Sequence, residues 1–86
     1  MTASTFDYKA ISARVKEVLE AAFPGAALET EEGQQGRVHV KVVSGHFNGK
    51  SEKAKQELVW RVLTEKLQAD AQAVSLVLTY GMDEIP

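Results

Sequence analysis

The residue types able to carry chemistry in this chain are few. There are two histidines, His39 and His46, and no cysteine. His46 has Ser44 and Ser51 near it in sequence, but no Asp or Glu stands where it would orient the imidazole, and no nucleophile-elbow motif is present. Ser51 is explained as a helix N-cap. The acids are scattered over helix surfaces, so the pattern points away from an enzyme. Without thiolates there is neither a disulfide nor a cysteine metal site. Metal ligation would fall to His39 or His46, each alone in its segment, and a lone histidine is more often solvated than ligating. The expectation is no intrinsic metal, with these two as the weak candidates.

A second group is cationic. Lys50, Lys53, Lys55 and Arg61 cluster in one segment, which suits a nucleic-acid contact. Glu52, Glu57 and Glu65 interleave with them, and the whole chain carries a net charge of −2 with a pI near 5.6. That is the wrong sign for a protein whose main task is gripping phosphates, and a mixed-charge solvated face is the simpler reading. Gly45 and Gly49 are spaced one residue too far apart for the Gly-x-x-Gly clamp of RNA-binding KH domains. A third group is bulky and apolar: Phe47, Trp60, Tyr80 and Met82. Phe47, inside a polar loop, reads as a plug for the core rim. Trp60 lies about 100° from Val59 on a helix, at the edge of the apolar stripe, which makes it a candidate interface anchor.

The elements that must position these residues follow from periodicity. Asp7 caps a first helix, with Phe6 and Ile11 placed as a hydrophobic staple. Tyr8, Ile11, Val15, Val18, Leu19 and Ala22 keep helical spacing until Pro24-Gly25 stops them. Ala27 to Glu31 is a short, acidic strand suited to a sheet edge. A loop over Glu32-Gly33-Gln34-Gln35-Gly36 leads to a second strand, Arg37 to Val43, in which Val38, Val40 and Val42 alternate with His39, Lys41 and Val43. Gly45, Asn48 and Gly49 turn the chain. A second helix runs from Glu52 to Leu67 with the stripe Leu58, Val59, Val62, Leu63 and Leu67, and Lys55 and Gln56 extend that stripe one turn earlier. Gln68 to Gln72 connects to a third strand. There Val74, Leu76, Leu78 and Tyr80 alternate with Ser75, Val77 and Thr79 until Gly81.

The order is αββαβ. The first two strands pair as a hairpin, and the second and third, joined through a helix, run parallel with a right-handed crossover. This predicts an α+β two-layer sandwich: a three-stranded mixed sheet with both helices on one face and His39 and Lys41 on the other. Val38, Val40, Val42, Leu76 and Leu78 are expected to meet Ile11, Val15, Leu19, Val59, Val62 and Leu63 in one core. At 86 residues the chain is expected to form a single domain over 1–86, burying about 60 to 65% of its unfolded surface. No apolar run approaches about 18 residues and no signal-peptide pattern opens the chain. A soluble, cytoplasmic protein is the default.

The segment Val42-Val43-Ser44-Gly45-His46-Phe47-Asn48-Gly49-Lys50-Ser51 fits Val-Val-Ser-x-x-Phe-x-Gly-x-Ser. It is followed by a helix carrying Leu58-Val59-Trp60. Both resemble the signature of the BolA family. Ala73-Val74-Ser75-Leu76 looks like the rest of that family's last-strand motif, His-Ala-(Leu/Val)-Ser, with Gln72 at the histidine. The resemblance runs from about Arg37 to Tyr80 and implies a type II KH-like topology. It also implies a non-enzymatic adaptor or regulator whose partner is a monothiol glutaredoxin, in iron–sulfur, redox or stress regulation. BolA-like proteins can share a [2Fe–2S] cluster with such a glutaredoxin, through the last-strand histidine and a His or Cys between the first two strands. Here those places hold Gln72 and a loop with neither residue, and an amide is a poor substitute for imidazole or thiolate. Some BolA-like proteins are read as transcriptional regulators that use the loop and second helix. The residues this assigns to partner or nucleic acid are Phe47, Gly49, Lys50, Ser51, Lys53, Lys55, Gln56, Trp60, Arg61 and Gln72. The family's Arg-His-Arg is Lys55-Gln56-Glu57 here, which resembles the shorter, acid-stress branch.

Overall fold

A computed structural model describes residues 6–85 of the chain. Helix α1 covers Tyr8–Ala22, strand β1 Ala27–Glu32, strand β2 Val38–Ser44, helix α2 Glu52–Leu67 and strand β3 Val74–Gly81. Short 3₁₀ turns fill Gln34–Gly36, Gly45–Phe47, Gln68–Ala73 and Met82–Glu84. Both helices begin where a side chain satisfies a free backbone N–H. Asp7 accepts from the Ala10 N–H at 3.3 Å and Ser51 from the Ala54 N–H at 3.1 Å.

The sheet order is β1-β2-β3, with β1 antiparallel and β3 parallel to β2. The expected α+β arrangement is therefore present. β2 is central and obeys its alternation: Val38, Val40 and Val42 are buried, at 2% exposure or less. They meet Ile11, Val15, Leu19, Val59, Leu63 and Leu67 beneath the two helices, with Val18, Leu58 and Val62 half-buried at the margin. The chain forms this core because α1 and α2 each present apolar side chains at i, i+4 spacing to one face of the sheet.

β3 departs from its alternation. Val38 pairs with Val74, but His39 pairs with Leu76, so Ser75 is an extra residue that forms a bulge. One inserted residue exchanges the two faces of everything downstream. Val77 and Thr79 turn inward, at 5% and 2% exposure. Leu76 and Leu78 turn outward, at 42% and 41%. The expected placing of Leu76 and Leu78 in the core is thus corrected. Alternation cannot reveal a bulge when the residues on both sides of it are apolar, as in Val74-Ser75-Leu76-Val77-Leu78.

Candidate functional site

The loop between β2 and α2 is held from three sides. Phe47 is fully buried, edge-on to Phe23 with ring centroids 5.1 Å apart. It anchors the loop from within, as the plug reading of the sequence expects, and its further assignment as a partner contact is corrected. Ser44 caps the following 3₁₀ turn by accepting from the His46 N–H at 3.0 Å. Gly49 sits at φ +74°, a conformation that favours glycine. Its N–H donates to Asp83 Oδ2 at 3.0 Å, while Asn48 Oδ1 accepts from the Asp83 N–H at 3.2 Å. The chain after β3 therefore staples the loop.

The same C-terminal turn removes one of the four clustered cations from the surface. Lys55 points into the core-facing stripe one turn before Val59 and is 2% exposed. Its ammonium pairs with Glu84 at 2.6 Å and Glu52 at 3.3 Å. The hydrogen bond to Glu84 holds the Lys55 pKa above its ordinary value, against desolvation. Glu84 is held low first by the Gly81 N–H, which it accepts at 2.7 Å, and then by Lys55. Glu52 is held low chiefly by the Thr79 hydroxyl, which donates to it at 2.9 Å, and then by Lys55. Lys55 is corrected from a binding residue to a buried ion-pair member, since a sequestered ammonium cannot reach a phosphate.

Gln56 is also engaged. Its amide donates to the Val77 carbonyl at 2.8 Å, and its oxygen accepts from Trp60 Nε1 at 3.1 Å. Val77 lies on an edge strand, so Gln56 covers a backbone acceptor that the ladder with β2 leaves available. This fixes the half-buried Trp60 and ties the first half of α2 to β3. Gln56 is therefore structural rather than poised for a partner. Gly49, Lys50, Ser51, Lys53 and Arg61 remain exposed. Sequence reasoning gave Asp83 and Glu84, beyond the last strand, no role. The acid pair Asp83-Glu84, two and three residues after Gly81, was the available signal, because a carboxylate there can return to the backbone as half of a capping box.

Gln72 is exposed in the 3₁₀ turn before β3. That turn is pinned to α1 by Arg14, which pairs with Asp70 at 2.6 Å and donates to the Lys66 carbonyl at 3.3 Å. His39 lies on the sheet face away from the helices, its ring against the β1–β2 loop. A Cβ added at Gly33 would lie 2.5 Å from His39 Nε2. His46 lies at the other end of β2, against Phe23 at 5.9 Å between centroids. From His39 to the strand's end at Ser44 are five residues, about 17 Å, and His46 lies beyond in the 3₁₀ turn, so the two histidines cannot share a metal. Among the described residues no group of three His, Cys, Asp or Glu side chains is placed to hold a metal ion. The donor set at the strand end, the Gln72 amide beside a loop without His or Cys, does not fit a [2Fe–2S] cluster. No helix among the described residues is long and apolar enough to cross a membrane.

No family model and no curated protein matches the chain. Solved structures do. BolA1 from Arabidopsis thaliana superposes with a TM-score of 0.72 at 22% identity, covering 88% of this chain and 96% of that one. The BolA domain of SufE1 from Arabidopsis thaliana superposes with a TM-score of 0.68 at 22% identity, covering 85% and 93%. The likeness spans nearly the full length of both neighbours and agrees with the resemblance carried by the Val42–Ser51 segment. The chain has the BolA fold.

Proposed function

We propose that this chain is a BolA-like, non-enzymatic adaptor or regulator of the cytoplasm whose partner is a monothiol glutaredoxin. The observation that supports the reading is where the fold puts the signature. Its apolar members, Phe47 and Val59, hold the loop and α2 from within, while Gln72 stands exposed on a braced turn at the start of β3. The amide of Gln72 can donate to and accept from a partner's backbone. In this reading the chain contributes contacts and no iron ligand from that position, so any [2Fe–2S] cluster in the complex is held on the glutaredoxin side.

The test is a titration of the chain with the host's monothiol glutaredoxin, apo and cluster-loaded, followed by calorimetry and by visible absorbance. The reading expects binding that is weakened by Gln72→Ala, and a cluster spectrum that the wild-type chain leaves unchanged. Absence of binding in both states overturns it. The alternative, a nucleic-acid-binding regulator using Gly49 to Arg61, is opposed by the sequestration of Lys55. It requires tight, sequence-selective DNA binding at moderate salt.

A further inference from the structure

Among the described residues nothing covers the sheet face opposite the helices, and its composition is graded. Across it run three rows of outward side chains, set by the strand register. β1 contributes Glu29 and Glu31, β2 contributes His39, Lys41 and Val43, and β3 contributes Leu76, Leu78 and Tyr80. The apolar row exists only because of the bulge at Ser75. Continuing the alternation from Val74 would have buried both leucines. The bulge instead exposes them and places the hydroxyl of Thr79 inside, where Glu52 must accept from it. Bulges re-aim side chains, and a register that exposes two leucines while burying a threonine works against core formation. Exposed apolar surface of this kind marks an interaction site.

The charges on the face are equally unbalanced. Glu29 stands opposite Lys41 and Glu31 opposite His39. Yet the Lys41 ammonium lies over the Tyr80 ring, 5.7 Å from its centroid, on the far side from β1. Neither Glu29 nor Glu31 takes part in an ion pair among the described residues. Between the rows lies a depression of about 190 Å³, lined by Glu29, Glu31, His39, Lys41, Leu76 and Leu78. That is well below the roughly 300 Å³ at which small-molecule pockets begin, and suits a single inserted side chain.

We infer that this face docks a cationic amphipathic helix of a partner protein, with its apolar stripe on Leu76, Leu78 and Tyr80 and its Lys or Arg flank on Glu29 and Glu31. The dimensions agree. Outer strands of a three-stranded sheet stand about 10 Å apart, the diameter of one helix. The seven residues of β2 extend about 23 Å, the length of about 15 helical residues. Where the helix crosses Lys41 it carries a small or acidic residue. A second copy of this chain fits poorly. In a face-to-face dimer, a two-fold axis along the strands lays Glu29 and Glu31 on Leu76 and Leu78. An axis across the strands lays the carboxylates on one another. The face lies opposite the helices and is independent of the glutaredoxin reading.

The test uses three synthetic 15-residue helical peptides against the full, ¹⁵N-labelled chain. One has a leucine stripe with a lysine flank, one a leucine stripe with a glutamate flank, and one the lysines with the leucines replaced by serine. The expected result is saturable binding of the first alone, with amide shifts confined to His39, Lys41, Leu76, Leu78, Tyr80 and their β1 neighbours. Glu29→Gln with Glu31→Gln should weaken it about tenfold and flatten its salt dependence. Leu78→Ser should weaken it comparably while circular dichroism stays native. No binding by the first peptide, or shifts that map to α1 and α2, overturns the inference. Equal binding by the serine peptide reduces the site to general charge attraction and also overturns it. Concentration-dependent shifts of the same face without peptide would assign it to self-association instead.

Discussion

The bulge at Ser75 makes a quantitative prediction about two neighbouring side chains. Val77 is 5% exposed and faces the core beside Val40, its partner across the ladder, whereas Leu78 is 41% exposed on the open face. Val77→Ala removes two methyl-sized groups from a packed interior. At about 0.8 kcal/mol per buried carbon this loses about 1.6 kcal/mol, and the residual cavity raises the total to about 2–3 kcal/mol. Leu78→Ala removes more carbon but leaves no enclosed void, so its cost is about 1 kcal/mol. For a domain of this size each kcal/mol lowers Tm by about 4–8 °C, so the separation between the two variants is readily measured. Simple alternation from Val74 through Tyr80 demands the opposite order, with Leu78→Ala the damaging change. Thermal and urea unfolding of both variants, with matching m-values, decides between the registers. A larger loss for Leu78→Ala than for Val77→Ala would refute the bulged pairing and, with it, the apolar row on the open face.

Other substitutions probe the loop, the ion pairs and the strand end. Phe47→Ala should cost about 3–5 kcal/mol in urea unfolding and loosen the loop, since it empties the space against Phe23; a loss under about 1 kcal/mol would mean that the ring is not an anchor. The Lys55 cluster should give a stability plateau in pH: the depressed Glu52 and Glu84 contribute fully above their ordinary value of 4.5 and lose that contribution as pH falls below it, while the raised Lys55 contributes fully below 10.5 and loses it as pH rises further. Glu84→Gln should flatten the acid limb of the Tm-against-pH curve, and an unchanged limb would show that the pair does not hold the C-terminal turn. Gln72→His should add an imidazole at the strand end and shift the visible spectrum of a reconstituted glutaredoxin mixture, as imidazole does when it replaces thiolate on iron; an unchanged spectrum and unchanged binding would show that this position does not face the cluster.

What was legible in the sequence had a local cause. Ser51 and Asp7 mark their helices because a capping oxygen acts within three residues. The alternation of Val38, Val40 and Val42 stated the central strand because one uninterrupted face is buried. Helix α2 ended at Leu67, as its stripe required. What was not legible depended on distant residues. Lys55 reads as a surface cation until Glu84, 29 positions later, is folded over it. Gln56 reads as a polar contact until Val77 presents its carbonyl. The bulge could not be read because apolar residues stand on both sides of Ser75, so either register satisfies the pattern.

The local misreadings share a direction. Lys55 and Gln56, assigned from sequence to a binding surface, are instead occupied in joining α2, β3 and the C-terminal turn into one body. Leu76 and Leu78, assigned to the core, are instead outside. Polar groups were drawn inward at the helix-side corner and apolar groups turned outward on the sheet. The first exchange is satisfied: no buried side-chain nitrogen or oxygen among the described residues lacks a hydrogen-bond partner. Such networks rigidify a corner when every member is paired. The second exchange has no compensation among the described residues, where Leu76 and Leu78 are exposed and the carboxylates across the face stand without ion pairs. A chain of 86 residues has little apolar surface to spare from its core. Two leucines held in water by a dedicated bulge therefore argue for a partner that covers them, and the carboxylate row beside them argues that this partner is cationic.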